Sequence, residues 1–143
     1  MNNNDMSSVL NPKPKVTFRL LHQGEIALGP GKAELLETID KTGSISAAGK
    51  AMGMSYRRAW VLVDLMNRCF SQPLVQTAKG GQHGGGTRLT PFGRQVLEKY
   101  QHATVAINDI VQAYMPVFAG LMNPDFNQQE QPPFEDDMDK SPE

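Results

Sequence analysis

The chain has 143 residues, enough for one compact domain and short of two, and 39% apolar with only 7% aromatic residues implies a small core. A single cysteine excludes a disulfide framework, three scattered histidines show no metal-ligand spacing, and no apolar run approaches the ~20 residues of a membrane span. The net charge of −1 hides an asymmetry: residues 1–122 hold 13 of the 14 Lys and Arg but only eight of the 15 acids, whereas 123–143 hold one Lys and seven acids.

Residues 1–14 are Asn-rich, with Pro12 and Pro14, and are expected to be a disordered arm. They lack the basic and apolar regions of a signal peptide, which with the lone Cys69 points to a soluble, cytoplasmic protein. Val16, Phe18 and Leu20 alternate with polar residues, His22-Gln23-Gly24 is turn-prone, and Ile26 and Leu28 return, so 15–29 is predicted to be a hairpin. Gly29-Pro30-Gly31 breaks it. A helix follows with Ala33, Leu35, Leu36 and Ile39 inward, ending near Thr42-Gly43. Ser44-Ile45-Ser46 offers caps for a very short helix, about 47–52, stopped at Gly53. Ser55 caps the next helix, roughly 56–70, whose inner face carries Ala59, Val63 (or Leu62), Met66 and Phe70. Leu74-Val75 and Thr87-Arg88-Leu89 flank the glycine-rich loop 79–86, a second hairpin. Thr90-Pro91 starts the last helix. Along it Leu97, Tyr100, Thr104, Ile107, Val111, Tyr114, Phe118 and Leu121 follow an a/d heptad spacing, with a kink or stop expected at 112–116 because of Pro116. Residues 123–143 are predicted to be an acidic disordered tail, leaving 15–122 as the folded domain.

Ser46 to Phe70 carries the signature of a helix-turn-helix: small Ala48-Gly49 where two helices must close, Gly53 at the turn, Met54 plugging the core, and Tyr56, Arg57 and Arg58 in the first turn of the second helix. Recognition helices contact bases with their N-terminal residues, and arginine pairs bidentately with guanine. A glycine-rich hairpin directly after such a helix is how a winged helix-turn-helix is built. Residues 50–94 hold seven basic residues against Asp64 alone, the densest basic charge in the chain. The fold class is therefore mainly α with small β-hairpins: a winged helix-turn-helix with an N-terminal hairpin and a long C-terminal dimerisation helix. Candidate DNA contacts are Ser46, Ser55, Tyr56, Arg57 and Arg58 on the helices, and Lys79, Gln82, His83, Thr87 and Arg88 on the wing. The candidate homodimer interface is Leu97, Tyr100, Ile107, Val111 and Tyr114, an apolar row too long to leave bare.

The stretches LLETIDKTGSISAAGKAMGMSYRRAW and LVQTAKGGQHGGGTRLTPFG, between Leu35 and Tyr100, resemble the DNA-binding domain of the molybdate-responsive (ModE-type) transcriptional regulators. The resemblance implies a winged-helix dimer on a palindromic operator in double-stranded DNA, commonly near genes of molybdenum uptake or use. It assigns base reading to the helix beginning Ser55-Tyr56-Arg57-Arg58 and backbone contact to the wing. Full-length regulators of this type continue into paired β-barrels that bind molybdate, whereas 23 acidic, proline-rich residues follow Gly120 here. The expectation is a stand-alone form without molybdate on this chain.

Other features have plainer readings. Trp60, beside Ala59, is expected in the core, Cys69 is expected to be a small buried apolar residue, and His83 has no second ligand nearby. The GGQHGGG loop lacks the GxxxxGK[ST] spacing of a phosphate cradle. No carboxylate cluster, nucleophile–base pair or cofactor loop is visible, so no metal, cofactor or enzymatic activity is expected. The rival function is a winged-helix protein-interaction module that pairs with another regulator. A basic recognition surface favours DNA; an acidic or apolar one would favour the module.

Overall fold

A computed structural model describes residues 12–78 and 86–126. They divide into a compact unit, Pro14–Ala113, and a second unit that includes the residues from Tyr114 on. The compact unit opens with an antiparallel hairpin, β1 (Leu20–His22) and β2 (Glu25–Leu28). Its turn residues, Gln23 and Gly24, both have positive φ (49° and 84°), the tight two-residue turn that matches the twist of the strands. The strand is shorter than the alternation from Val16 suggests. β2 ends at Leu28 because Pro30 already starts a helix, so residues 16–19 have no partner strand. Phe18 still packs inward, its ring 4.6 Å from that of Tyr100, whose hydroxyl donates to the Phe18 carbonyl at 2.8 Å.

Helix α1 (Pro30–Thr42) buries Ala33, Leu35, Leu36 and Ile39, as their spacing predicts. It ends at Gly43, whose φ of 72° is one that a side chain would strain. Helix α2 (Ile45–Ala51) is capped by the Ser44 hydroxyl, which accepts from the Ala47 amide at 3.1 Å. It thus starts two residues before the predicted 47. Helix α3 is Tyr56–Cys69; strands β3 (Val75–Thr77) and β4 (Thr87–Leu89) form the second hairpin, in register Val75↔Leu89 and Thr77↔Thr87.

Helix α4 (Pro91–Gln112) begins where expected. The Thr90 hydroxyl accepts from the Gly93 amide at 2.8 Å and donates to the Pro73 carbonyl at 2.7 Å, so one side chain both caps α4 and ties it to the segment entering the wing. Two side-chain pairs fasten α4 to α1: the Arg94 guanidinium grips both Asp40 carboxylate oxygens at 2.7 and 2.8 Å, and Gln101 donates to Glu37 at 2.6 Å. The core lies between α1, α2, α3, the two hairpins and the first half of α4. Its fully buried members Leu28, Leu35, Leu36, Ile39, Met66 and Leu74 each contribute roughly 1.5–3 kcal/mol of burial.

Helix α4 stops at Gln112, and a short α5 (Met115–Ala119) carries Pro116 in its first turn, the break that Pro116 predicts. In that second unit Tyr114, Val117, Phe118 and Leu121 are exposed.

Candidate nucleic-acid interface

The α2–turn–α3 pair has the close approach that a helix-turn-helix requires. A methyl group built at Gly49 would sit 3.1 Å from the Ala59 Cβ and 3.5 Å from Met54, so only the smallest residue fits without displacement. Gly53 takes a φ of 71°, and the Met54 amide donates back to the Gly49 carbonyl at 2.9 Å. Met54 packs against the core, as anticipated. Ser55 then accepts from the Arg58 amide at 3.1 Å and sets the start of α3.

From that cap, Ala59, Val63 and Met66 turn inward, and Tyr56, Arg57 and Arg58 are left in solvent, Tyr56 with 56% of its surface exposed. No acid occupies the first turn. Two arginines at the positive end of a helix dipole oppose it, a local cost of about 0.3–1 kcal/mol per cation that a bound anion would reverse. A local rule broken without compensation inside the fold is typical of a functional surface. Ser46 is exposed on α2, and Ser55 is exposed while its hydroxyl serves the cap.

The wing is held at its base by contacts that sequence patterning does not reveal. The Asn67 carboxamide, on the last turn and a half of α3, accepts from the Leu74 and Val75 amides at 2.9 and 3.1 Å and donates to the Val75 carbonyl at 3.2 Å. The Thr87 amide donates to the Gly43 carbonyl at 2.8 Å, fixing β4 to the end of α1. The predicted wing contacts Lys79, Gln82 and His83 lie outside the described residues. Arg88 is exposed. Thr87 is not a surface contact: it is 7% exposed, because alternation along β4 sends Thr87 and Leu89 inward and Arg88 outward.

Two further expectations are corrected. Trp60 is not in the core; 45% of its surface is exposed. Adjacent residues on a helix stand 100° apart, so burying Ala59 turns its neighbour to the flank of α3. Val61 beside it is also exposed. Leu97 and Tyr100, predicted for a dimer seam, are 8% exposed within the single chain because the first half of α4 lies on its own domain. Burial raises the Tyr100 phenol above its usual pKa, partly opposed by the Arg19 guanidinium and a hydrogen bond with Thr104. Ile107 and Val111 remain half-buried, and Ile110, one turn from Ile107, is exposed. Among the described residues no helix is long and apolar enough to cross a membrane.

No family model matches the chain. Among curated proteins it is similar to "Molybdenum transport protein ModE" of Azotobacter vinelandii, 43% identical over 75 residues, which cover 52% of this chain and 28% of that protein. It is 37% identical over 87 residues to "Molybdenum-pterin-binding protein MopB" of Rhodobacter capsulatus, covering 61% of this chain and 32% of the relative. To "DNA-binding transcriptional dual regulator ModE" of Escherichia coli K12 it is 35% identical over 86 residues, 60% of this chain and 33% of the relative. The chain therefore spans about a third of the length of the curated relatives it matches. Over the matched segment it carries a winged-helix domain homologous to a part of the ModE-type proteins.

Proposed function

We propose that the chain is a sequence-specific DNA-binding transcriptional regulator, a homodimer on a palindromic operator, acting on molybdenum-related genes. The observation that carries the reading is the first turn of α3: Tyr56, Arg57 and Arg58 capped by Ser55, unpaired with any acid of their own turn and open to solvent. The names of the relatives supply the molybdenum context. In this reading Arg57 or Arg58 pairs with guanine in the major groove, Tyr56 reaches a phosphate, and Lys79, Gln82, His83 and Arg88 meet the backbone. In the same reading Ser46, exposed on α2, meets a phosphate. The dimer uses the second half of α4, through Ile107, Ile110 and Val111, and sets half-sites one or more turns of DNA apart, about 34–36 Å per turn. Molybdate has no place on this chain in the reading, because its exposed basic groups face a polyanion rather than enclose a small one.

The test is selection of duplexes from a random library by the intact chain, followed by Arg57→Ala and Arg58→Ala. Each substitution is expected to cost roughly 1–3 kcal/mol of specific binding where the residue holds a guanine. A double variant that binds the enriched duplex as the wild type does refutes the assignment. Ile107→Asp is expected to give monomers in sedimentation equilibrium and to weaken operator binding; a wild-type monomer at micromolar concentration refutes the dimer. Calorimetry with molybdate against sulfate checks the last point, and selective micromolar binding of molybdate overturns it.

A further inference from the structure

The outer surface of α3 is not uniformly charged. With Ala59, Val63 and Met66 on the core side, Arg57 and Val61 fall one turn apart on the opposite stripe, and Trp60 stands on its flank. Val61 is 56% exposed. Asp64 continues the stripe, and its carboxylate is engaged by the Arg68 guanidinium at 2.9 Å, so the one acid of this helix is paired. Trp60 and Val61 expose adjacent apolar surface on a helix whose other exposed residues are Tyr56, Arg57, Arg58 and Arg68, and an apolar strip rimmed by polar groups marks a contact. Arg57 and Arg58 on the same helix, and Lys50 on α2, which packs against it, are exposed, and this cationic setting selects a polyanionic partner. Within duplex DNA, the major groove presents one apolar group on a base edge, the 5-methyl of thymine.

We propose that Trp60 and Val61 form an apolar contact for thymine 5-methyl groups, so that α3 reads thymine beside the guanine held by its arginines. This rests on the DNA-binding reading above and sharpens its specificity. Four residues of helix advance about 6 Å, close to two base-pair steps of 3.4 Å, so the thymine lies within about two base pairs of the guanine that Arg57 contacts.

The experiment takes the duplex enriched by the intact chain and replaces each thymine in turn with deoxyuridine, which pairs identically and lacks only the methyl group. Binding is followed by anisotropy of the labelled duplex and by emission of Trp60, the sole tryptophan of the chain. At one or two positions near the guanine, the wild type is expected to lose about fourfold in affinity, the usual effect of unburying one methyl-sized group. Val61→Ser and Trp60→Gln, which replace the apolar surface with polar groups and are checked for unchanged melting, are expected to bind thymine and deoxyuridine duplexes with nearly equal affinity at those positions. Both side chains are already largely in solvent, so the variants are expected to fold. Retained affinity with no deoxyuridine effect anywhere, or the same effect in the variants, overturns the methyl contact and leaves the DNA-binding function standing. Failure to enrich any duplex overturns both. If Trp60→Gln or Val61→Ser instead dissociates an oligomer in sedimentation, the strip is a protein interface and the proposal fails.

Discussion

Removing the Asn67 carboxamide is the sharpest test of how the second hairpin is set relative to α3. Its three hydrogen bonds all go to the backbone of Leu74 and Val75, residues that are almost fully buried. Asn67→Ala leaves two amides and one carbonyl without that partner. A buried polar group left dry costs about 1–3 kcal/mol, and three would be very expensive. Asn67 is itself only half-buried, however, so water can reach part of the vacated space and replace some of those bonds. The net expectation is roughly 2–4 kcal/mol of lost stability. For a unit of about one hundred residues, where 1 kcal/mol moves Tm by about 4–8 °C, that is a fall of roughly 10–30 °C, measured by circular dichroism. Asn67→Asp keeps both acceptor bonds but loses the donor and turns a carboxylate toward the Val75 carbonyl, so it should fall between wild type and Asn67→Ala. At a temperature where both variants are folded, the proposed DNA binding leads us to expect that backbone protection over the wing weakens more than protection over α3. A fall below about 3 °C in Asn67→Ala, well under 1 kcal/mol, would refute the reasoning that this side chain anchors the wing.

Three further outcomes follow from single contacts. Gly93→Ala should destabilise by at least the 1–3 kcal/mol of an overpacked site in urea unfolding, since a methyl group there would overlap the Leu74 carbonyl and stand 2.9 Å from its Cα; a midpoint like the wild type's would show that α4 shifts freely. Because the folded-state pKa of Tyr100 is raised, its contribution to stability is complete below about pH 10, the unfolded value, and declines above it as the unfolded phenol ionises first. Tyr100→Phe should flatten that alkaline fall in Tm and cost about 0.5–1.5 kcal/mol at neutral pH through the lost bond to Phe18; an unchanged alkaline slope would contradict it. Ser55→Ala should cost about 0.5–2 kcal/mol and fray the turn that bears Arg57 and Arg58, visible as faster amide exchange at Arg58, whereas unaltered exchange would mean that the cap contributes little.

Local chemistry was legible in the residues themselves. Helix starts at Ser55 and Thr90, the stops at Gly43 and Gly53, the break at Pro116 and the inward stripe Ala59–Val63–Met66 depend on neighbours within a turn or two, and their pattern survives in the fold. So did the exposed Tyr56-Arg57-Arg58 turn, because a cap fixes the phase of the helix that follows it. What failed depended on which face meets which element across tens of residues. Apolar residue type placed Trp60 inside, whereas the phase set by Ala59 put it on the flank. The heptad row of α4 was real, yet only packing on α1 and Phe18 decided that Leu97 and Tyr100 belong to this domain's core and that Ile107, Ile110 and Val111 are left less covered. The bonds linking Thr87 to Gly43 and Asn67 to Leu74 carry no periodic signal, since a hydrogen bond to a backbone group forty-four or seven residues away has no period. The sequence by itself thus determined the elements and the exposed, charged first turn of α3, through short-range sterics and capping. Tertiary structure alone decided the partner of each face, because burial is a property of the assembled core and not of any residue's neighbours in the chain.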